Sequence, residues 1–210
     1  MRTCTFTVGG EAVDIVPERV VNAGSTDHGT ASASSTEAPP TYPLAPYTLL
    51  VDPGRVVVTG EHTSGEAAFG LFVTDRETYV VAASDHTDRD LESVSVRKSK
   101  QIAPNVLSER AWRYSVVRDH WDRLELRAWT TTGTGERKLY QEEGLDALLA
   151  PEELLETVEK RHGGPMNGTA ILSGTVPTTE GVVPGTRFVV ELHDPVRDRT
   201  LRVGYNVEVV

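Results

Sequence analysis

A run of acidic and histidine residues follows directly on an apolar stretch of the chain. Residues 79–83 (YVVAA) lead into residues 84–92 (SDHTDRDLE), in which five of nine positions are acidic or His. The step Ser64-Gly65-Glu66 comes earlier in the chain. A carboxylate at the end of a buried strand is costly to remove from water unless a cation receives it. These residues are therefore a candidate metal or acid/base site.

Glu66 and Asp85 are the candidate metal ligands. Glu66 starts one predicted strand and Asp85 ends another, so antiparallel pairing of the two strands would bring both carboxylates to one edge of a sheet. Carboxylate oxygens with open water positions suit Mg²⁺ or Mn²⁺. The alternative is a pair of solvated turn residues, and the spacing does not decide between the two.

Two neighbours of Asp85 are candidates for acid–base and substrate-binding roles. Because side chains alternate along an extended chain, Asp85 and Thr87 should share one face. His86 is a candidate general base, since imidazole titrates near neutrality, although a hydrogen-bond network with nearby acids is the alternative. Arg89 is a candidate anchor for a substrate carboxylate, which a guanidinium binds through two hydrogen bonds. Its alternative is an ion pair within the same segment.

Two further segments offer groups that an anionic ligand would use. Lys100, in the polar run of residues 98–101 (KSKQ), would stabilise developing negative charge beside a carboxylate-bound metal, and a solvated surface lysine is the alternative. Gly174 and Thr175 follow an apolar strand and would offer a backbone N–H and a hydroxyl to a ligand. A plain turn is the simpler interpretation of that pair.

Strands must position these residues, because the chain reads mostly as short apolar runs between turns. Residues 2–21 predict one or two strands that turn at Gly9-Gly10. The clearest helix is Pro151–Arg161, with Pro in its first turn, acidic residues near its start and basic residues at its end. Residues 115–119 also predict the start of a helix. The fold class is mainly β (α+β), a folded-over or barrel-like sheet with one or two short helices. Further strands are predicted at 49–51, 55–59, 67–73, 79–83, 124–130, 169–172, 187–192 and 201–210.

Residues 22–46 interrupt the strands with Gly, Ser, Ala, Thr and Pro, which cannot bury much apolar area. They predict a long loop, either a lid or a flexible surface segment. We therefore divide one globular unit into residues 1–41, N-terminal strands plus a loop or lid, and residues 42–210, the β-roll domain. Three tryptophans, Trp112, Trp121 and Trp129, predict an aromatic packing layer.

Composition excludes several classes of protein. The chain has 210 residues, of which 38% are hydrophobic and 25% charged, and no apolar run is long enough to span a membrane. The formal net charge of −10 lacks the basic footprint that nucleic-acid binding requires. A single cysteine, Cys4, allows neither an internal disulfide nor a cysteine-rich zinc site. The N-terminus lacks the apolar stretch of a signal peptide, so a cytoplasmic location is expected.

Several short motifs occur in an order that resembles a little-characterised branch of the fumarylacetoacetate hydrolase superfamily. The resemblance covers roughly residues 42–210. It rests on Ser64-Gly65-Glu66, residues 84–90, Ser99-Lys100-Gln101 and residues 173–177, together with His120-Trp121-Asp122, Tyr140-Gln141, Asp194-Pro195 and Tyr205. The superfamily implies a mixed β-sandwich roll, or pseudo-barrel, whose centre holds Mg²⁺ or Mn²⁺. A Glu-x-Glu pair and an Asp chelate the metal there.

The resemblance assigns roles position by position. Glu66 falls on the first Glu of the pair and Asp85 on the metal-binding Asp. Lys100 approximates the substrate-contacting Lys, with Lys98 as the competing assignment. The substrate-binding positions are Gly174, Thr175 and Gln101.

The chain departs from the superfamily pattern at two places. Ala68 occupies the position of the second Glu, which removes one carboxylate ligand, and Glu61 or Glu92 would have to compensate. The His-Glu catalytic pair of the superfamily's lid helix has no clear counterpart, because His28 and Glu37 lie in no matching pattern. These departures weaken the prediction that the site binds Mg²⁺ or Mn²⁺. One of the alternatives is therefore a site without a metal.

Three functional hypotheses follow from these residues and from the resemblance. In the first, an enzyme acts on a 1,3-dicarbonyl compound or 2-oxo acid through an enolate, by metal-assisted C–C hydrolysis or hydration, with Lys100, Arg89 and His86 as catalytic residues. The second is a metal-independent cyclase, isomerase or lyase of specialised metabolism on the same scaffold. The third is a non-catalytic binding protein with a degenerate site. The expected partners are a small-molecule substrate and, as is common in the superfamily, a second copy of the chain.

Overall fold

The computed structural model describes residues 2–24 and 40–210, and strands make up most of the regular structure there. The strands are β1 Cys4–Val8, β2 Glu11–Ile15, β3 Arg19–Ala23, β4 Thr41–Leu44, β5 Leu49–Val51, β6 Arg55–Val58, β7 Thr63–Ser64, β8 Ala67–Val73, β9 Thr78–Asp85, β10 Thr87–Asp88, β11 Asn105–Leu107, β12 Trp112–Arg113, β13 Glu125–Thr131, β14 Arg137–Gly144, β15 Thr169–Leu172, β16 Arg187–Asp194 and β17 Arg199–Val209. The α-helices are α1 Arg89–Glu92, α2 Val96–Ile102, α3 Tyr114–Val117 and α4 Pro151–His162, and 3₁₀ turns cover Pro46–Thr48, Arg118–Arg123 and Leu145–Ala147.

Two large sheets form the body of the protein. The larger sheet has eight strands in the order β4-β3-β15-β8-β9-β11-β5, with β12 also paired to β9. The smaller sheet has five strands in the order β14-β13-β16-β17-β6. The hairpin β1-β2 and the short pair β7-β10 stand beside them. The mainly β roll with few helices is confirmed.

The larger sheet is covered on both faces. Alternate residues of β8 point to opposite sides, so Phe69 and Leu71 join the layer between the two sheets, where they meet Leu126 and Val190. Phe72 belongs to a second apolar layer that the hairpin β1-β2 covers, and its ring lies 4.8 Å from that of Phe6. We call these the inner layer and the outer layer.

Several local predictions are confirmed. The turn between β1 and β2 is Gly9-Gly10, and both glycines have a positive φ that other residues rarely adopt. Helix α4 begins at Pro151, buries Leu154 and Val158, and is followed by Gly163 with a φ of 61°. The helical prediction at 115–119 falls on α3 and the 3₁₀ turn that follows it.

The region predicted as a loop, residues 22–46, is strand at both ends. Strand β3 continues to Ala23, and β4 begins at Thr41. The strand residues at the two ends of this region were missed because the region is rich in small and polar residues. The parallel partner of β3 is β15, which lies far along the chain, so no local pattern indicates the pairing. Since β3 lies in the same sheet as β8 and β9, strands from before residue 42 share the sheet of the β-roll domain. The predicted lid, with His28 and Glu37, lies mostly outside the described residues.

The predicted tryptophan layer holds for two of its three members. Trp112 and Trp121 are buried, and the Trp121 ring packs edge-on against Phe69 at 4.9 Å. Trp129 is instead half-buried on the smaller sheet, where the Arg137 guanidinium lies 4.7 Å from its ring centre.

Among the helices of the described residues, none is long and apolar enough to cross a membrane.

Candidate active site

The pairing of β8 with β9 brings Glu66 and Asp85 together. The strands are antiparallel with Ala67 opposite Ser84, so the residue before β8 meets the last residue of β9. The backbone N–H of Asp85 donates to the carbonyl of Glu66 at 3.0 Å. Both side chains are buried, with exposures of 3% and 1%. The predicted meeting of two carboxylates at one sheet edge is therefore what the structure has.

Helix α2 delivers a buried cation to these carboxylates. The Nζ of Lys100 donates to Oδ2 of Asp85 at 2.5 Å and to Oε2 of Glu66 at 2.9 Å. A longer contact of 3.5 Å reaches Oγ1 of Thr87, which shares the face of Asp85 as predicted. Lys98 is exposed, because residues two apart on a helix point about 200° away from each other. The helix thus places Lys100, and not Lys98, at the site.

Arg89 holds Glu66 from the other side. Its Nη1 donates to Oε1 of Glu66 at 2.7 Å and to Oε2 of Glu92 at 2.8 Å, while its Nε donates to the Ser64 hydroxyl at 2.8 Å. Asp88 fixes the start of α1, since its carboxylate accepts the backbone N–H of Leu91. The ion pair within residues 84–92 is therefore present, between Arg89 and Glu92, and Arg89 also binds Glu66 from outside that segment. Five residues therefore form what we call the charged cluster: Glu66, Asp85, Arg89, Glu92 and Lys100.

Asn22 also binds Asp85, and no motif in the sequence indicates this contact. Its Nδ2 donates to Oδ2 of Asp85 at 2.9 Å from β3. Asn22 was missed because it is the first residue of the predicted loop 22–46, whereas in the structure it lies in β3. Within the described residues, Oδ1 of Asp85 is buried and has no hydrogen-bond partner. One carboxylate oxygen therefore remains available to a ligand or a proton.

Burial and the lysine act in opposite directions on Asp85. Complete burial raises the pKa of its carboxyl to about 6, because it outweighs the lowering effect of the Lys100 ammonium. Burial lowers the pKa of Lys100, but the carboxylates of Asp85 and Glu66 outweigh it and hold that pKa above its ordinary value. The cluster thus combines an ammonium whose pKa is held above its ordinary value with a carboxyl whose pKa burial raises.

His86, predicted as a catalytic base, lies on the opposite face of β9 and not in the charged cluster. Its Nδ1 is 3.0 Å from the hydroxyl of Tyr205, which is also 2.7 Å from the hydroxyl of Ser84. Burial, with a further contribution from Arg89, lowers the pKa of His86 to about 4. The physical reason for the difference is strand alternation, which turns His86 away from Asp85 toward the smaller sheet. His86 does belong to a hydrogen-bond network, but the network is buried and joins hydroxyl groups, and it is not the surface network with nearby acids that was the alternative.

Gly174 and Thr175 lie beside the start of β8. The Thr175 hydroxyl donates to the carbonyl of Ala67 at 2.8 Å and accepts from Nε2 of Gln141 at 2.7 Å. Gly174 packs so closely against Gly24 that a Cβ on Gly24 would lie 2.2 Å from the Gly174 backbone. Gln141, noted in the sequence only as part of a motif, fixes this corner through Thr175 and through the N–H of Ala67.

Gln101, predicted to bind substrate, points away from the charged cluster. Its side chain accepts the backbone N–H of Ala45 at 2.9 Å and donates to the Tyr47 hydroxyl at 3.0 Å. It lines a surface cavity of about 320 Å³ together with Tyr47 and Ile102, and Lys100 is not part of that lining. Neighbouring residues on a helix point about 100° apart, and here Gln101 faces Tyr47 while Lys100 faces the charged cluster.

The donor set does not fit the divalent ion that the superfamily resemblance implies. Ala68, at the position of the second Glu, is a buried residue of the outer layer and pairs across the strands with Ala83. Glu61, one candidate to compensate, is exposed, and Glu92, the other, is bound to Arg89. Across residues 2–24 and 40–210, no group of three or more His, Cys, Asp or Glu side chains is arranged to hold a metal.

The two predicted metal ligands are moreover already bound to cations of this chain. Each oxygen of Glu66 accepts from a cation, Arg89 on one side and Lys100 on the other. Oδ2 of Asp85 accepts from Lys100 and Asn22, so Oδ1 is the one oxygen of this carboxylate pair without a described partner. Mg²⁺ and Mn²⁺ need several oxygen ligands and are repelled by an ammonium that holds the same carboxylates. The metal assignment of Glu66 and Asp85 stays a prediction that this arrangement does not favour.

Comparison with known proteins gives a family and a fold. A family model described as "Protein of unknown function (DUF2848)" matches residues 31–205. No curated protein sequence matches the chain. Several solved structures match over most of its length.

A protein from Oleispira antarctica, provisionally named as a fumarylacetoacetate isomerase/hydrolase, is 16% identical with a TM-score of 0.69, and the match covers 96% of this chain and 98% of that one. A yeast fumarylacetoacetate hydrolase family protein is 15% identical with a TM-score of 0.67, over 92% and 93% of the two chains. A 2-keto-3-deoxy-D-arabinonate dehydratase, solved with magnesium and 2,5-dioxopentanoate, is 15% identical with a TM-score of 0.62, over 92% of this chain and 74% of the dehydratase. The fold is therefore that of the fumarylacetoacetate hydrolase superfamily, as the sequence motifs implied.

Proposed function

Since the chain belongs to the family described as "Protein of unknown function (DUF2848)" and has the fumarylacetoacetate hydrolase fold, we propose that it is an enzyme that forms an enolate from a small 2-oxo acid or 1,3-dicarbonyl compound. The observation that carries this proposal is the juxtaposition of a buried ammonium with a carboxylate that keeps one unpartnered oxygen among the described residues. Enolate formation needs these two groups, a cation for the carbonyl oxygen and a base for the proton on the neighbouring carbon.

Asp85 is the proposed base. Its Oδ1 has no described partner, while Oδ2 is held by Lys100 and Asn22, so the carboxylate is fixed with one oxygen available. Burial raises the pKa of this carboxyl to about 6. A base with a pKa close to the working pH is ionised and still binds a proton strongly enough to remove one from carbon.

Lys100 is the proposed partner of the enolate oxygen. Its ammonium donates strongly to two carboxylates, and the third contact, to the Thr87 hydroxyl, is long at 3.5 Å. A substrate oxygen would replace that weakest contact. A preorganised cation in a buried site stabilises developing negative charge far more than it would in water.

Arg89 and the Gly174–Thr175 corner are proposed to position the site. Arg89 binds Glu66, Glu92 and Ser64, so we assign it to holding Glu66 in place and not to binding a substrate carboxylate. Thr175 is bonded on both sides, to Ala67 and Gln141, and fixes the backbone next to the cluster.

The substrate class draws support from the neighbours in fold. The dehydratase was solved with 2,5-dioxopentanoate, which is a 2-oxo acid, and other neighbours are named as fumarylacetoacetate hydrolase family members. Small 2-oxo acids and 1,3-dicarbonyl compounds share an acidic carbon next to a carbonyl group. A homodimer and a cytoplasmic location stay predictions from the sequence.

The proposal is tested by incubating tag-free protein with pyruvate, 2-oxobutanoate and 2,4-dioxopentanoate and following each compound by NMR. At least one compound should be consumed, and Asp85→Asn should lower that rate by roughly 10²-fold or more. Lys98→Met is the matched control, because Lys98 is exposed on the same helix as Lys100. A panel left intact by the wild-type protein would instead favour the non-catalytic binding protein.

Metal-assisted C–C hydrolysis or hydration is the second candidate. The magnesium in the structure of the related dehydratase and the unpartnered Oδ1 of Asp85 favour it. The ammonium on the carboxylate pair and the alanine at the second Glu position count against it. The two candidates differ in whether turnover stops when divalent ions are removed with EDTA.

A further inference from the structure

The position of the Lys100 ammonium has a consequence for the charge of the site. Its Nζ lies between carboxylates from two adjacent strands, 2.5 Å from Asp85 and 2.9 Å from Glu66. An ammonium has three N–H donors, and the three oxygens within reach are those of Asp85, Glu66 and Thr87. Lys100 thus bridges the pair as a shared metal ion would.

The charges within the cluster are already nearly balanced. Within residues 2–24 and 40–210, three carboxylates face two cations, so the formal net charge of these five residues is −1. Arg89 occupies the oxygen of Glu66 that Lys100 leaves. A divalent ion placed between the same carboxylates would make these residues positive in sum and would lie against the buried Lys100 and the partly buried Arg89.

The residue at the second Glu position agrees with this charge balance. Ala68 is 1% exposed and lies in the outer layer beside Ala83 and Phe72. A carboxylate at this position would add a charge that the two cations of the cluster would not neutralise. The alanine at position 68 and the monovalent cation between Glu66 and Asp85 therefore fit together.

We propose that the Lys100 ammonium takes the place of the divalent cation in this chain, so that Glu66 and Asp85 form an ammonium site and not a metal site. The inference concerns the same site as the proposed function and rests on it for the catalytic use of the cation. Its test needs no substrate, so either idea can fail alone.

The test is Mn²⁺ binding, followed by electron paramagnetic resonance and by thermal unfolding of EDTA-treated, tag-free protein. The wild-type protein should leave the signal of free Mn²⁺ unchanged and should not gain thermal stability from millimolar Mn²⁺. Lys100→Met removes the charge and takes the ammonium away from Oδ2 of Asp85 and Oε2 of Glu66, so it should bind Mn²⁺ roughly tenfold or more tightly than the wild type and be stabilised by it. Lys98→Met, on the exposed side of α2, should behave as the wild type does.

Two outcomes would overturn the inference. One is stoichiometric Mn²⁺ binding by the wild-type protein that Asp85→Asn abolishes. The other is a folded Lys100→Met protein that binds no Mn²⁺, because the Lys100 ammonium would then not occupy a position that a metal ion can take. If Lys100→Met does not fold, the comparison of the wild-type protein with Asp85→Asn decides alone.

Discussion

Replacing Lys100 by Met should destabilise the protein strongly. Met has nearly the volume of the lysine side chain, so packing changes by less than about 1.5 kcal/mol. The charge is the larger loss, because Lys100 is 1% exposed and bonds to the carboxylates of both Asp85 and Glu66. Breaking a buried pair by removing one partner costs about 3–5 kcal/mol, and we expect a loss in that range near neutral pH.

The loss should also depend on pH, and its sign follows from the pKa of Asp85. Burial raises this pKa above its ordinary 3.8, to about 6, even with Lys100 present. Without the ammonium, which lowers it, the pKa rises further. The folded variant then binds a proton that the unfolded chain has lost, so its stability falls as pH rises. The difference between wild type and variant should therefore be larger near pH 8 than near pH 5.

Urea unfolding at several pH values measures this loss, with Lys98→Met as a control expected to stay within about 0.5 kcal/mol of the wild type. A double-mutant cycle with Asp85→Asn should give a coupling energy of at least about 1 kcal/mol, since each single change removes the same contact. A Lys100→Met protein as stable as Lys98→Met, or additive losses in the cycle, would refute the buried ion pair. So would a loss that stays the same from pH 8 to pH 5.

Two other predictions concern the packing around the site. The pKa of His86 is lowered from 6.5 to about 4, first by burial, so the unfolded chain binds a proton between these values while the folded chain does not. His86 alone should therefore lower the free energy of unfolding by up to about 1.4 kcal/mol per unit as pH drops through this window. The raised pKa of Asp85 acts in the opposite direction, so the slope is measured as the difference in urea unfolding between the wild type and His86→Gln. The same slope in the variant would contradict it. Gly24→Ala places a Cβ 2.2 Å from the Gly174 backbone and should cost about 1–3 kcal/mol, whereas Gly133→Ala, with nothing within 4 Å, is the control in a thermal melt. Equal melting temperatures would count against the close approach.

Strand alternation made part of the site predictable from the sequence. Glu66 and Asp85 flank two apolar runs of suitable length, and their antiparallel pairing follows from a short connection. The same alternation puts Thr87 on the Asp85 face and His86 on the other, which is where the structure has them. These features are local, so a single sequence contains them.

Other parts of the site depend on contacts that are distant in sequence. Helix α2 has no apolar stripe that would distinguish it from a polar loop, so Lys100 and Lys98 could not be told apart until the helix turned one inward. Asn22 reaches Asp85 because β3 pairs with β15 in a parallel arrangement, and a parallel pair leaves no local turn signal. The bond between Gln101 and Tyr47 likewise joins residues that no spacing relates.

The proposed enolate chemistry is tested most directly by the exchange of carbon-bound hydrogen in D₂O. The methyl group of pyruvate and the C3 methylene group of 2-oxobutanoate lose their proton signals in NMR when an enolate forms and takes up deuterium. The wild-type protein should accelerate this exchange over buffer for at least one of the two acids. Asp85→Asn should lower the enzyme-dependent rate by roughly 10²-fold or more, and Lys98→Met should keep it. Exchange no faster than in buffer, or equally fast with Asp85→Asn, would contradict a base at Asp85.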